Sequence, residues 1–299
     1  MPFDSVKLND GRFISGIGFG TWKIPQDVTG DQVQQGIEVG FDHIDTAQVY
    51  RNEVEAGQGI RDTGVKREQL WITTKWSGVD DKPVRQSCLE SLQKLGVDYL
   101  DLYLIHHPRL CKGDIAGIWA EFELLKKEGL VKSIGVSNFE IKDLETLLKT
   151  AHIKPVVNQI LLHPYVIKKQ TPLLEFMQEH SIKPEGYSSL IPLTGKTGGP
   201  VDKPVAEIGK KLKVEPEQVL LAWSRAKGAI IITTSSRKDR LERYLAAGDV
   251  YLTDEEVEAI DKAGRKGERD DLVRGWAAKG VRWAVVGGLG VWAVAKWVL

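Results

Sequence analysis

The sequence predicts an α/β fold: a parallel (β/α)8 barrel of the TIM type, preceded by an N-terminal β-hairpin. Three observations carry this. Eight short apolar runs alternate with segments of helical period over most of the chain, the pattern left by parallel strands joined through helical crossovers. An Asp-Gly step, Asp10-Gly11, separates two short runs at the start, as a tight hairpin turn requires. Polar residues capable of acid–base chemistry close several consecutive runs, and a barrel gathers its active site at those strand ends.

Taken in order, Val6-Lys7-Leu8 and Arg12-Phe13-Ile14 form the hairpin arms around Asn9-Asp10-Gly11. Strands follow at 16–20, 41–46, 70–75, 99–106, 131–137, 156–161, 183–188 and 229–234. Between them, 30–39 reads as a helix closed by Gly40, a favourable left-handed cap. The segment 83–95 places Val84, Cys88, Leu92 and Leu95 on one helical face and stops at Gly96. Similar patterns cover 115–127, 141–148, 171–179, 216–225 and 237–247, while 192–203 reads as one Gly/Pro-rich loop. An open doubly wound sheet is the structural rival; the strand count and the placement of the polar residues favour the barrel. The expected organisation is one barrel over 1–264, then 265–299 as a charged linker and an apolar segment.

Composition narrows the function classes. Lys plus Arg and Asp plus Glu both number 41, so there is no electrostatic reason to expect nucleic acid as partner. Two cysteines, Cys88 and Cys111, make no disulfide framework and fit a reducing compartment. Met1-Pro2-Phe3-Asp4 lacks a basic, then apolar, leader, so a cytoplasmic location is expected; a monomer is expected besides. Two glycine motifs fail. Gly16-Ile17-Gly18-Phe19-Gly20 lacks the dinucleotide spacing and precedes Thr21-Trp22-Lys23-Ile24-Pro25 rather than a helix start. Gly195-Lys196-Thr197 has Leu190 where a phosphate loop needs its first glycine. No metal-ligand cluster or Ser/His/Asp grouping competes.

The chemistry concentrates on four residues. Asp45 closes the second run with Tyr50 five residues on, Lys75 closes the third, and His106 closes the fourth. A free phenol, with a pKa near ~10, is a weak acid at neutral pH. An ammonium beside Tyr50 would stabilise the phenolate and lower that value. Asp45 would hold the Lys75 ammonium and offset its burial. His106 can donate to a carbonyl oxygen and stabilise developing negative charge. Singly, each residue reads as readily as packing, a solvated lysine or a core histidine; their matching strand-end positions give the set its weight.

At this point the sequence resembles the aldo-keto reductase family from about Val6 to Gly264. Gly40-Phe41-Asp42-His43-Ile44-Asp45-Thr46-Ala47 with Tyr50 is similar to its second-strand motif, Asp101-Leu102-Tyr103-Leu104-Ile105-His106 to the fourth, and Gly135-Val136-Ser137-Asn138-Phe139 to the fifth. The resemblance implies NADPH as hydride donor and Tyr50 as general acid, with Lys75, Asp45 and His106 supporting. It further implies that Ser137, Asn138 and Gln159 hold the nicotinamide carboxamide and Tyr187 stacks on its ring. Gly20, Thr21 and Trp22 would lie beside cofactor and substrate, and Ser188 and Leu190 along the pyrophosphate. The stretch from Thr233 through Thr234, Ser235, Ser236, Arg237, Lys238 and Asp239 to Arg240 matches the adenosine 2′-phosphate site. Its hydroxyls and cations at a helix start suit an anion on physical grounds as well, a capped and solvated helix start being the alternative. Thr234 stands where many members have Lys, which weakens the distinction between NADPH and NADH.

Two departures bear on substrate. His107 replaces a Trp common after the catalytic histidine, widening or polarising the pocket, and the loop 108–114 is short. Trp22 and Trp76 are read as apolar walls, with a core role as the alternative for Trp76. Thr233-Thr234-Ser235-Ser236 together with Gln159-Ile160-Leu161-Leu162-His163-Pro164 is similar to fungal ketoreductases acting on activated or dicarbonyl compounds. The end of the chain is unusual: 283–299 carries only Lys296 as a charge, with Trp283 and Trp297 near its ends. Either it anchors in a membrane, though slightly short of the roughly 20 residues a span needs, or it packs on the barrel or a partner. Two further functions stay open: an NADPH-binding sensor or regulatory subunit without useful turnover, and a polyol dehydrogenase running the chemistry in reverse.

Overall fold

A computed structural model describes residues 3–267; the apolar segment 283–299 and most of the charged stretch before it lie outside the described residues. Strands β1 (Ser5–Lys7) and β2 (Phe13–Ser15) pair antiparallel as the hairpin. Strands β3 (Ile17–Gly20), β4 (His43–Asp45), β5 (Trp71–Trp76), β6 (Leu100–Ile105), β7 (Val131–Ser137), β8 (Val157–Leu161), β9 (Lys183–Tyr187) and β10 (Ile230–Thr233) run parallel. They close on themselves, with Ile231 of β10 beside Ile17 of β3. Helices α1 (Gln26–Val39), α2 (Glu53–Asp62), α3 (Val84–Leu95), α4 (Ile115–Lys127), α5 (Ile141–Leu148) and α6 (Ile167–Glu179) alternate with these strands. α7 (Ile191–Thr194), α8 (Asp202–Leu212), α9 (Pro216–Ala226) and α10 (Lys238–Ala246) follow, and a last helix spans 254–267. Among the described residues no helix is long and apolar enough to cross a membrane.

Strand alternation creates two apolar zones, because successive side chains in a closed barrel point in and out. On β6, Tyr103 and Ile105 face the helices, and the Tyr103 ring stacks on Phe122 of α4 at 5.0 Å. Leu102 and Leu104 face inward and join Trp71, Val157 and Ile230 in a separate cluster. Leu8 and Ile14 of the hairpin belong to that inner cluster, so the hairpin forms the floor of the barrel at the amino ends of its strands. Charge fastens it there. Arg12 pairs with Asp101 at 2.7 Å, and Asp101 also accepts from Arg67 (2.7 Å) and from the Ile72 N–H (3.0 Å). Asp10 accepts from Ser133 and Lys126, and Asn9 donates to the carbonyls of Pro155 and Ser181. With its floor sealed, the barrel is left open at the carboxyl ends of its strands.

Three local expectations are corrected. A helix occupies Glu53–Asp62, where none was read. Its Gly57 and Gly59 depress intrinsic helicity, yet they permit close approach: a Cβ on Gly59 would collide with the Gly30 carbonyl of α1. The span 192–203 is not all loop, since α7 enters it and α8 begins before it ends. α6 begins at Ile167 and continues through Pro172, four residues earlier than the apolar spacing suggests.

Candidate active site

One cavity of about 1050 Å³ opens at the carboxyl ends of the strands. Asp45, Tyr50 and His106 share its wall. Tyr50 comes from a 3-10 turn, Gln48–Tyr50, that follows β4 and ends at Arg51 in the left-handed region. Lys75 lies fully buried beneath them, its Nζ donating to Asp45 Oδ1 at 2.6 Å and to the Thr46 carbonyl at 2.8 Å. That Nζ is 5.1 Å from the centre of the Tyr50 ring, and the His106 ring stands edge-on to Tyr50 at 5.6 Å. Four sequence-distant groups thus meet in one place.

Their charge states follow from burial and neighbours. Burial pulls the Lys75 pKa down, but Asp45, then Tyr50, outweigh it and hold it above the ordinary value. The site therefore keeps a cation. Tyr50 shows the opposite balance: burial raises its pKa more than Lys75 lowers it. The net fall expected from the sequence is corrected, because the phenol is itself largely desolvated. His106 is held neutral, its pKa pulled down to about 3 by burial and then by Lys75. Its Nδ1 lies 2.8 Å from Ser77 Oγ. With Ser77 donating to Nδ1, the Nε2–H is free to donate.

Beside these residues runs a polar wall. Asn138 Nδ2 donates to the His106 carbonyl at 3.0 Å and to Ser137 Oγ at 2.9 Å, and Tyr187 Oη donates to Asn138 Oδ1 at 2.8 Å. Asn138 and Ser188 both adopt positive φ, 61° and 62°, an unfavourable conformation that the surrounding bonds must hold. Gln159 Nε2 donates to Asp45 Oδ2 and to Glu185 Oε2, each at 2.8 Å, leaving its Oε1 free of those contacts.

The far end of the cavity is lined by Ser188, Leu190, Thr234, Ser235, Ser236, Arg240 and Tyr244, beside the start of α10. Arg237 is not among the lining residues, and its exposed guanidinium pairs with Asp239 at 2.7 Å. The near end carries Trp22, half exposed with Lys23 Nζ over its ring at 4.2 Å, together with Val49, His107, Arg109 and Leu110.

Most residues singled out from the sequence meet on this wall, including Gly20, Ser137, Asn138, Gln159 and Tyr187. Thr21 and Lys238 do not: Thr21 is fully buried and bonds Thr46 at 2.8 Å, and Lys238 is exposed outside the cavity. The wall role read for Trp76 is corrected as well. Lys75 faces into the barrel, so its neighbour Trp76 faces out and packs in the core between strands and helices. Sequence reasoning missed Ser77, Arg109, Lys23 and the buried Glu185. Ser77, two residues beyond Lys75 on the same strand end, was the one with a readable signal.

Comparison with known proteins finds reductases among the relatives and among the structures of similar fold. A fission yeast (Schizosaccharomyces pombe) NAD/NADP-dependent indole-3-acetaldehyde reductase is 42% identical over 238 residues, covering 78% of this chain and 83% of that one. An Escherichia coli methylglyoxal reductase is 35% identical over 257 residues, covering 86% and 92%. Among solved structures, a Bombyx mori aldo-keto reductase in complex with NADP superposes with a TM-score of 0.80 at 34% identity, covering 87% of this chain and 92% of that one. The model of the aldo/keto reductase family matches residues 16–265. With that match over most of the barrel, the chain belongs to the aldo/keto reductase family.

Proposed function

We propose that this protein reduces aldehydes and ketones to alcohols with NADPH, Tyr50 delivering the proton. One observation carries the reading: Tyr50 and His106 line the same cavity while a buried Lys75–Asp45 pair lies directly beneath them. The donor set fits a nicotinamide dinucleotide. Ser137, Asn138 and the free Gln159 oxygen suit a carboxamide, and the Tyr187 ring offers a flat face. Gly20 lies at the same end, Ser188 and Leu190 follow the cavity, and Thr234, Ser235, Ser236 and Arg240 suit a 2′-phosphate. The bound cofactor supplies the hydride that reaches the carbonyl carbon.

The chain's own residues then manage the oxygen. Neutral His106 donates Nε2–H to the carbonyl oxygen and orients it. As the C–O bond gains negative charge, the Tyr50 O–H gives its proton to that oxygen, producing the alcohol and a phenolate. Lys75 stabilises the phenolate, Asp45 keeps Lys75 charged, and solvent returns the proton to Tyr50. At the near end, His107, Arg109 and Lys23 offer donors for a second oxygen next to the reacting carbonyl. That favours activated substrates, α-keto esters and α-dicarbonyls, over simple aldehydes.

The test is NADPH consumption with α-keto esters, diketones, aldehydes and sugars, run beside Tyr50→Phe. Turnover that falls at least ~10²-fold in the variant while NADPH binding persists is expected. NADPH binding by the parent without turnover of any carbonyl would overturn the proposal in favour of a sensor. Equal rates for activated and simple carbonyls would sink the substrate preference alone.

A further inference from the structure

Glu185 has no place in the chemistry above, yet it is buried in the barrel interior directly below it. It lies on β9 with no exposed surface. Its Oε2 accepts from Gln159 Nε2 at 2.8 Å, and the same nitrogen donates to Asp45 Oδ2 at 2.8 Å. A continuous path thus runs from Glu185 through Gln159 and Asp45 to the Lys75 ammonium. We infer that Glu185 is a positioning residue for the reduction: through the Gln159 amide it holds Asp45, and through Asp45 the Lys75 ammonium, in the arrangement that lets Tyr50 release its proton.

Two carboxyl groups on one amide nitrogen settle how that amide is turned. Both contacts need N–H donors, so Nε2 faces Asp45 and Glu185 and the carbonyl oxygen of Gln159 faces away from them. Without Glu185, half of that constraint is gone.

The charged and titratable groups facing Glu185 set its state. From β4 come Asp45 and His43, the His43 Nε2 at 3.9 Å from Glu185 Oε1; from β5 comes Lys75. β8 contributes uncharged Gln159, and β10 sets apolar Ile230 alongside in register. His43 is no counter-ion, because burial and then Lys75 keep it neutral, with a pKa down at about 3, and its Nε2 bonds Thr73. Lys75 is already matched by Asp45. Glu185 Oε1 has no hydrogen-bond partner among the described residues. A second carboxylate here would be a buried charge without a cation of its own, so Glu185 carries its proton at neutral pH; burial, then Asp45, push its pKa up to about 8. Ionising it adds a negative charge that competes for Lys75 and weakens the hold of Lys75 on the Tyr50 phenolate.

This inference rests on the reduction proposed above, and its test separates the two. In Glu185→Gln an amide oxygen still accepts from Gln159, but nothing at 185 titrates. The parent's kcat/KM should fall roughly tenfold between about pH 7 and pH 9, as one ionisation near 8 dictates. The variant should hold nearly constant over that interval and match the parent within about threefold at pH 7. Glu185→Leu, which removes the acceptor, should lose rate at every pH. Infrared spectroscopy of the protein without cofactor supplies a readout independent of turnover: a protonated carboxyl band at pH 7, absent from Glu185→Gln. An unchanged alkaline limb in Glu185→Gln, or no such band in the parent, overturns the inference. A parent that turns over no carbonyl defeats the reduction instead, while the infrared band still judges Glu185.

Discussion

Replacing Lys75 with methionine probes the site and the fold together. The methionine fills nearly the same volume but deletes an ammonium that is fully buried and donates to Asp45 at 2.6 Å and Thr46 O at 2.8 Å. Asp45, itself buried, is left with Gln159 as its remaining donor. Removing one partner of such a pair typically costs about 3–5 kcal/mol, because the other charge stays in a low-dielectric interior. For a domain of this size that lowers the unfolding midpoint on the order of 10 °C. The rate should suffer separately: without the cation nothing opposes the desolvation that already raises the Tyr50 pKa, and a loss of roughly 10²–10⁴ in kcat is expected. Thermal unfolding and NADPH oxidation at saturating substrate measure the two effects. The double variant Asp45→Asn/Lys75→Met has no desolvated charge left. It should be more stable than the sum of the single losses predicts, with a coupling of about 0.5–3 kcal/mol, while remaining as inactive as Lys75→Met. Additive stability losses, or a Lys75→Met enzyme within threefold of the parent rate, would refute the account of a buried pair that charges Tyr50's surroundings.

Other outcomes follow from the same description. Arg240→Ala removes the cation lining the far end of the cavity and with it a charge-assisted bond worth about 1.5–3 kcal/mol. KM for NADPH should rise roughly 10–100-fold with KM for NADH unchanged, as steady-state kinetics with each cofactor would show. Stability should depend on pH from both sides. Folded His43 takes a proton only near pH 3 against an ordinary 6.5, so its contribution is complete above about pH 6.5 and is lost as pH falls toward 3. Glu185, raised from 4.5 to about 8, works the other way, its contribution present below 4.5 and lost as pH rises through 8. Urea midpoints at pH 4, 6.5 and 9 should therefore peak at the middle value, and a His43→Gln variant should lose less between 6.5 and 4 than the parent does.

The barrel was legible because its strands are short, apolar and evenly interrupted, as parallel strands buried on both faces are. α2 was hidden because Gly57 and Gly59, needed for contact with neighbouring helices, look like loop residues in one dimension. The four acid–base residues could be read since each closes a run, a position that has meaning in the sequence. Trp76 could have faced either way by its chemistry alone; only the strand register, with Lys75 turned inward, decides it. Glu185 lies mid-strand between Pro184 and Gly186, where nothing in the local pattern marks a carboxyl out. Its relation to Asp45 spans 140 positions and exists only once the barrel has closed.

The hairpin floor carries a consequence for the order of assembly. It precedes the barrel strands in the chain, yet the polar ties that fix it come later: Asp101, Lys126, Ser133, Pro155 and finally Ser181, 172 positions beyond Asn9. Contacts this distant in sequence are slow to form, since loop closure must precede any gain from them. The hairpin therefore emerges from the ribosome before the surface it docks on, and the inner cluster that holds its Leu8 and Ile14 is complete only once Ile230 of β10 has been made. A segment made before the barrel completes the structure near the end, making the hairpin the natural point at which the nascent chain is vulnerable to aggregation.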